Sequence, residues 1–329
     1  MTLEINTLPG NLTVRPTTLE VVPAITELIR ACEIALDGTA ETTLEDMQTY
    51  FQMPDIDLAT DTLSVFDGSR LVGGVAVDHR QHSRISAEVA VDPDYQNQAI
   101  EEYLLNWAEQ RAHQHIVLAE PGVRVTLNTR ASSKDNLLPR LYEKHGFQQV
   151  RSFWRMLIEM DAQPEPAQWP AGITVRTATP DLFHAIYEAD EEAFQDHWGH
   201  MPHSYEEWEH WGVNRQNFDP TLWFLAMDGE QIAGLSLCAI EQGDNGWVHD
   251  LAIRRPWRRR GLGLALLRHS FGEFYRRGLR DVYLGVDAQS LTGAVRLYER
   301  AGMHVVRQFN RYEKELRAGK ELSTQTVDG

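Results

Sequence analysis

Residues 248–263 read VHDLAIRRPWRRRGLG, and this stretch decides the fold. It begins as a buried strand, which Pro256 stops, and a basic loop then leads into an amphipathic helix. Backbone N–H groups at a helix start lack intrahelical acceptors, and the helix dipole favours anions there. Gly261 and Gly263 allow close approach to the backbone because they have no Cβ. The stretch therefore predicts a pyrophosphate-binding loop, with the arginines at 258–260 adding positive potential.

Two other interpretations of this loop remain open. The arginines are also compatible with a solvated basic turn whose glycines only shape the backbone. The Gly261-Leu262-Gly263 run, at the start of a helix, also fits a dinucleotide-binding fingerprint. Against that interpretation, Leu266 stands where the third glycine is needed, and the glycines do not follow the strand directly. Nicotinamide chemistry is therefore the weaker alternative.

The chain contains an internal repeat with an offset of about 160 residues. LTVR at 12–15 is echoed by ITVR at 173–176, and LYEKHGF at 141–147 is echoed by LYERAGM at 297–303. This predicts two tandem domains, 1–160 and 172–316, joined by a stiff Pro-rich linker at 161–171. A flexible polar tail is expected at 317–329.

Both copies predict the same α/β (α+β) unit, a mixed and mostly antiparallel sheet flanked by helices. In the second copy, a hairpin turns at Asp228-Gly229 between strands at 223–227 and 232–239. Further strands are expected at 174–176, 246–253, 282–287 and 305–312, and helices at 263–277 and 292–301.

Two segments of the second copy resemble the hallmarks of the GNAT superfamily of N-acetyltransferases. LAI-x2-P-x-RRRGLG at 251–263 looks like its acetyl-CoA signature, and AVRLYERAGM at 294–303 looks like its tyrosine-bearing helix. The tandem arrangement is similar to that of mycothiol synthase-like two-domain acetyltransferases. The resemblance implies two GNAT domains, acetyl-CoA as cosubstrate, no metal, and direct acetyl transfer to a primary amine in a ternary complex.

The resemblance also implies roles for individual residues. The strand backbone at Leu251, Ala252 and Ile253 would pair with the pantetheine arm. Tyr298 would protonate the departing thiolate, since a phenol keeps its proton near neutral pH; a tyrosine that only packs in the core is the alternative. The pyrophosphate would be held by the loop residues Arg258, Arg259, Arg260, Gly261, Leu262 and Gly263.

The proton acceptor for the attacking amine has two candidates, His249 and Asp250. Strand alternation predicts that their side chains point to opposite faces, with His249 on the face of Leu251 and Ile253. Histidine titrates in the useful range, although a structural histidine fits equally well. Asp250 is the second candidate as base, and it is also suited to holding a cationic substrate.

The acceptor substrate is expected to contact the aromatic and acidic segment after the first strand of the second copy. Aromatic rings interleaved with acids suit a cationic or amino-sugar amine. The candidates for this role are Phe194, Asp196, His197 and Trp198. Trp208 and Trp211, at helical spacing with acids around them, are instead predicted to belong to the core and the solvated face of a helix.

The first copy departs from the acetyl-CoA signature. At 89–101 the strand and proline persist, but Ala99 and Glu101 replace the glycines, and Gln96 and Gln98 replace arginines. A carboxylate beside a pyrophosphate costs on the order of 1 kcal/mol in water and several when shielded. We therefore expect this copy to have lost acetyl transfer and to support the fold or the substrate cleft.

The composition limits the classes of molecule that the protein is expected to bind. The chain has 329 residues and a formal net charge of −17, which repels nucleic acid and anionic membranes and suits a small amine. Cys32 and Cys238 are the two cysteines, too few for a disulfide framework. No secretory signal or spanning segment is recognisable, so a cytoplasmic monomer or homodimer is expected. A protein N-terminal acetyltransferase and a non-catalytic acyl-CoA-binding scaffold remain alternatives.

Overall fold

A computed structural model describes residue 8 and residues 10–96, 99–215, 217–241 and 245–326. The chain divides into two compact units. The N-terminal unit comprises Met1–Arg151 and Phe309–Leu322, and the C-terminal unit comprises Ser152–Gln308 and Ser323–Gly329. None of the helices described is long and apolar enough to cross a bilayer.

Twelve strands and nine helices are found in the described residues. The strands are β1 Leu12–Arg15, β2 Thr62–Asp67, β3 Arg70–Arg80, β4 Arg84–Val91, β5 Val125–Ser132, β6 Gln148–Glu159, β7 Ile173–Thr177, β8 Trp223–Asp228, β9 Gln231–Glu241, β10 Asn245–Ile253, β11 Asp281–Asp287 and β12 His304–Arg317. The helices are α1 Val22–Asp37, α2 Leu44–Phe51, α3 Leu58–Asp61, α4 Ile100–His115, α5 Leu138–Lys144, α6 Phe183–Phe194, α7 Tyr205–Gly212, α8 Leu262–Arg276 and α9 Ala294–Arg300.

The sheets of the two units follow the same plan. In the N-terminal unit the strand order is β1-β2-β3-β4-β5-β12, and in the C-terminal unit it is β7-β8-β9-β10-β11-β6. One neighbouring pair in each unit is parallel, β4 with β5 and β10 with β11, and the other pairs are antiparallel. This confirms the expected mixed, mostly antiparallel architecture.

The last strand of each repeat lies in the other unit. Phe309–Arg317 of β12 pair with β5, and Phe153–Glu159 of β6 pair with β11. The compact units therefore do not coincide with the ranges 1–160 and 172–316 expected from sequence. Because the two copies are homologous, the final strand of either copy fits the same sheet edge, and the repeat pattern does not reveal which pairing forms.

The expected linker packs within the C-terminal unit, whereas the expected tail is divided: residues up to Leu322 belong to the N-terminal unit and those from Ser323 to the C-terminal unit. In the segment 161–171, the ring of Trp169 lies 5.7 Å from that of His269 on α8. In the tail, Thr324 accepts a hydrogen bond from the Gly199 amide at 2.6 Å and donates its own amide to the His200 carbonyl at 3.0 Å. Arg317 ends β12, and these two bonds involve Thr324, so the flexibility of the tail stays a prediction; residues 327–329 lie outside the described part of the chain.

Two cores cover the two faces of the sheet in the C-terminal unit. Alternation along β8 places Phe224 in the core beside α8 and Leu225 in the core beside α6. Helix α8 therefore packs on one face of β10 and α6 on the other. Each side chain of β10 faces one of the two helices, according to its position along the strand. The candidate site lies where β10 ends.

Candidate active site in the C-terminal unit

Strands β10 and β11 separate halfway along their length. Their parallel pairing runs from Gly246↔Val282 to Val248↔Leu284 and ends there, whereas β10 continues to Ile253 paired with β9. On the β11 side, the peptide groups of 249–253 have no strand partner among the described residues. Such an open edge accepts an extended chain that carries amide groups.

A β-bulge at His249 changes which face each side chain of β10 meets. Val248 pairs with Cys238 and Asp250 with Leu237, so His249 is the extra residue. Before the bulge Val248 packs in the core beside α8, and after it Ala252 packs in the core beside α6.

The bulge therefore overturns the predicted alternation. The ring of His249 stacks on that of Trp247 at 6.0 Å, on the face opposite α8. Asp250 shares the parity of Ala252 and also lies opposite α8. His249 and Asp250 thus lie on one face, and His249 does not share the face of Leu251 and Ile253.

The loop after β10 provides an uncapped helix start. Helix α8 begins at Leu262, and no side chain caps Gly261 at its N-terminus. Arg259 and Gly261 have φ values of 61° and 83°. This conformation leaves the first N–H groups of α8 without intrahelical acceptors, an arrangement that binds anions. Arg259 and Arg260 are exposed beside it.

Gly263 brings this helix start close to α9. A Cβ placed on Gly263 would lie 3.1 Å from Leu297 Cδ2. The glycine therefore keeps the first turn of α8 narrow at the point where it approaches the tyrosine-bearing helix.

Arg258 stabilises the loop after β10 through hydrogen bonds to β10, to α6 and to Asp196. It donates to the Ile253 carbonyl at 2.9 Å, to the Ala193 carbonyl at 3.1 Å and to the Asp196 carboxylate, which also accepts from Arg255 Nε at 3.0 Å. The Arg255 and Arg258 guanidinium groups lower the pKa of Asp196 to about 2. Arg258 and Asp196 are thus engaged with each other, and their expected contacts with cofactor and substrate stay predictions.

Tyr298 lies on α9 and is 7% exposed. Burial raises the pKa of its phenol to about 12, and the negative charge of Asp250 adds to the shift. Its hydroxyl has no hydrogen-bond partner among the described residues. The phenol therefore stays protonated at neutral pH and keeps a donor available.

The two predicted proton acceptors have different surroundings. His249 is exposed, and its Nε2 lies 2.9 Å from Glu241 Oε1. Burial raises the pKa of Asp250, an effect that the nearby His249 and His203 partly offset. Asp250 thus combines a basic carboxylate with a position within electrostatic range of Tyr298.

Sequence analysis missed Asp190 on α6. Asp190 is 7% exposed, and its Oδ1 has no hydrogen-bond partner. Burial and the charge of Asp250 together raise its pKa well above the usual value. The signal was available, because Ile186, Asp190 and Ala193 lie on the apolar face of α6 at helical spacing, where a carboxylate is unusual.

The aromatic substrate candidates pack closely within the same unit. The rings of Phe194 and His197 are 4.2 Å apart, and burial lowers the pKa of His197 to about 4. Trp198 Nε1 donates to Gln325 Oε1 at 3.0 Å, a bond to the tail segment. Trp208 packs in the core 5.5 Å from Trp223, as predicted.

Among the described residues, two groups of side chains are close enough together to hold a metal ion. Glu191, His200 and His203 lie close together in the C-terminal unit, where His203 Nδ1 is 2.9 Å from Glu191 Oε1. The N-terminal unit contains a second group, described below. Sequence analysis found neither because the members are spread between separate elements.

The N-terminal unit keeps the opening but not the loop chemistry. Strands β4 and β5 pair from Arg84 to Ser86 and then separate, yet β3 and β4 pair without a bulge. Glu101 is buried in the first turn of α4. The Tyr142 hydroxyl donates to the Arg130 carbonyl at 3.3 Å, so it is engaged where that of Tyr298 is not. Gln98 lies outside the described residues.

Fold and site together define an acyl-coenzyme A-dependent N-acyltransferase, and comparison with known proteins agrees. Residues 183–303 match the model described as "Acetyltransferase (GNAT) family", and residues 60–149 match that described as "Acetyltransferase (GNAT) domain". A solved structure titled as a GCN5-related N-acetyltransferase from Sphaerobacter thermophilus is 36% identical, with a TM-score of 0.82 and coverage of 97% of this chain and 100% of that one. The chain belongs to the GNAT family of acetyltransferases.

Other relatives share the two-domain plan. A mycothiol acetyltransferase from Renibacterium salmoninarum is 27% identical over 293 residues, which span 84% of this chain and 83% of that protein. A tandem GNAT protein from the clavulanic acid biosynthesis pathway superposes with a TM-score of 0.71 at 15% identity, covering 94% and 100% of the two chains. That second likeness supports the fold alone.

Proposed function

We propose that the C-terminal unit transfers the acetyl group of acetyl-CoA to a primary amine on a small molecule, by direct attack in a ternary complex. The separation of β10 from β11 next to the uncapped start of α8 carries this proposal. An extended amide arm fits the open strand edge, and a diphosphate fits the helix start.

The coenzyme would be held mainly by backbone groups. Peptide groups of 251–253 would pair with the pantetheine arm, and the N–H groups at the start of α8 would bind the diphosphate, with Arg259 and Arg260 adding positive charge. Gly234 on β9 supports the close packing here, because a Cβ on it would lie 2.6 Å from Ile253 Cδ1. Bound acetyl-CoA supplies the reactive thioester; Arg258 and Asp196 position the loop.

Tyr298 is the proposed general acid. Its side chain is largely buried, and its hydroxyl is protonated at neutral pH and has no hydrogen-bond partner in the described residues. A donor of this kind can deliver a proton to a departing thiolate, a contribution typically worth about 10²–10⁴ in rate.

Asp250 is the proposed proton acceptor, and Asp190 the group that shares its charge. Two carboxyl groups within electrostatic range attract an ammonium group, and burial makes their carboxylates more basic. His249, exposed and bonded to Glu241, is placed to pass the proton to solvent. An amine that arrives as an ammonium ion is thus both bound and deprotonated.

The acceptor is proposed to be a small cationic or amino-sugar-like amine. The carboxyl groups of Asp190 on α6 and Asp250 on β10 favour a cation, and the names of the relatives called mycothiol acetyltransferases indicate a small-molecule acceptor for those proteins. The N-terminal unit, with Glu101 in the first turn of α4, is proposed to support the fold and not to transfer acetyl groups.

The test measures free thiol released from acetyl-CoA with a panel of amino sugars, polyamines and peptides. We expect release with a small amine, and we expect Asp250→Asn to depress it more than His249→Gln. Tight acetyl-CoA binding without release for any amine would favour the scaffold alternative and contradict the proposal. Acetylation of peptide N-termini alone would contradict the small-molecule part.

A further inference from the structure

Three histidines that have no role in the proposed acetyl transfer lie close together in the N-terminal unit. His79 is the penultimate residue of β3, His82 lies in the turn to β4, and His115 ends α4. One ring nitrogen from each lies within 4.8 Å of the others. The Nδ1 atoms of His82 and His115 are 2.8 Å apart, and the rings of His79 and His82 stack at 4.0 Å.

One ring nitrogen of this cluster, His79 Nδ1, is buried without a hydrogen-bond partner in the described structure. His115 is 1% exposed; its Nδ1 faces His82, and its Nε2 faces Asp61. A buried polar atom without a partner costs free energy, so such atoms call for an explanation such as a ligand or an ion.

The surroundings of the cluster suit a cation. Asp61 Oδ1 lies 3.8 Å from His115 Nε2 and accepts from Arg111 Nε at 2.6 Å. A carboxylate behind a histidine ring is a common way to orient a metal ligand. The three rings also lie at the C-terminal end of α4, where the helix dipole favours positive charge.

The turn that carries His82 has an unusual backbone. Gln81 and His82 have φ values of 50° and 52°, a left-handed conformation that residues other than glycine seldom adopt. The Ser83 amide closes the turn on the Arg80 carbonyl at 3.0 Å. This conformation places the His82 ring against His79 and His115.

We propose that His79, His82 and His115 form a binding site for one divalent transition metal ion, with Zn²⁺ as the preferred occupant. Zinc bonds imidazole nitrogen at about 2.0–2.1 Å, so two ligand nitrogens lie roughly 3.3 Å apart in a tetrahedral site. Small changes in side-chain torsions bring the three nitrogens to that separation. Three histidines leave a fourth position for water, and the bound ion would join the β3–β4 turn to the end of α4.

The test titrates Zn²⁺ into the full chain after treatment with a chelator. We expect one equivalent to bind in wild type and to be lost in His82→Gln and in His79→Gln. His113→Gln is the matched control, because His113 is exposed on α4 two residues from His115. Circular dichroism in chelator checks that each variant folds. Zinc at a hundredfold excess over Kd should raise the melting temperature of wild type and of His113→Gln by about 5–10 °C. It should not raise the melting temperature of His79→Gln or His82→Gln.

Co²⁺ gives a second readout that does not depend on stability. Tetrahedral nitrogen ligation gives an intense visible absorption band, expected in wild type and absent in His82→Gln. A Glu191→Gln, His203→Gln double variant removes two of the three candidate ligands of the other cluster. The one equivalent of metal assigned to His79, His82 and His115 should still bind to this variant. Wild type that binds no zinc, or zinc binding that persists unchanged in both His79→Gln and His82→Gln, would overturn the proposal.

Discussion

Replacing Gly263 with glutamate should strongly weaken the affinity for coenzyme A without unfolding the protein. The first turn of α8 would then carry a carboxylate, as the first turn of α4 already does at Glu101. At a separation of roughly 5 Å and an effective dielectric constant of about 20, one such charge pair costs about 3 kcal/mol. That energy corresponds to a roughly 100-fold weaker affinity.

Gly263→Gln is the matched control because it has the shape of glutamate without its charge. Its Cβ meets the flexible end of Leu297 at 3.1 Å in either variant, so steric effects cancel in the comparison. Isothermal titration with coenzyme A at low and high salt measures the difference, which should shrink as salt screens the charges. Equal affinities for the glutamate and glutamine variants would refute the placement of the diphosphate at the start of α8.

Three further predictions concern the proposed machinery. Tyr298→Phe should lower kcat by about 10²–10⁴ with coenzyme affinity nearly unchanged in titration; unchanged kcat would remove its assigned role. Because burial raises the pKa of Tyr298 to about 12, the folded state keeps its proton between pH 10 and 12 while the unfolded state loses it. Urea unfolding should therefore show that wild type loses about 2–3 kcal/mol more stability than Tyr298→Phe over that range; parallel losses would contradict the burial argument. Asp196→Asn leaves Arg258 with a weaker partner and should cost about 3–5 kcal/mol in urea unfolding, whereas a surface Asp181→Asn control should cost almost nothing; equal stabilities would show that the buried ion pair does not stabilise the loop.

The sequence predicted the elements of the C-terminal copy because each has a strong local signal. The hairpin at Asp228-Gly229, the strand at 246–253 and the helix from 263 all form near the expected positions. Turn residues and apolar periodicity are properties of short segments, so they can be recognised without knowledge of the tertiary structure.

Long-range pairing was not predictable in the same way. The two copies present equivalent edges, so nothing in either repeat reveals that β12 pairs with β5. The tail at 323–326 is polar, and its packing depends on backbone bonds to 199–200 that leave no sequence pattern.

The assigned roles of the site residues stay predictions, but two features of their surroundings, the bulge and the ion pair, could not be predicted. Strict alternation fails at His249 because one extra residue reverses the faces of β10. Asp196 was predicted to contact substrate because of its aromatic neighbours, and no local sequence pattern indicates that Arg255 and Arg258 lie across from it. Asp190 was missed because the apolar periodicity of α6 alone predicts a buried position there and no chemistry.

Hydrogen exchange of the whole chain, with and without coenzyme A, tests most directly where the coenzyme lies. We expect amide protection at 249–253 and 261–264, together with unchanged exchange at 87–91 and 99–102. Protection of the N-terminal segments, or of neither pair of segments at saturating coenzyme A, would contradict the assignment of the site to the open edge of β10.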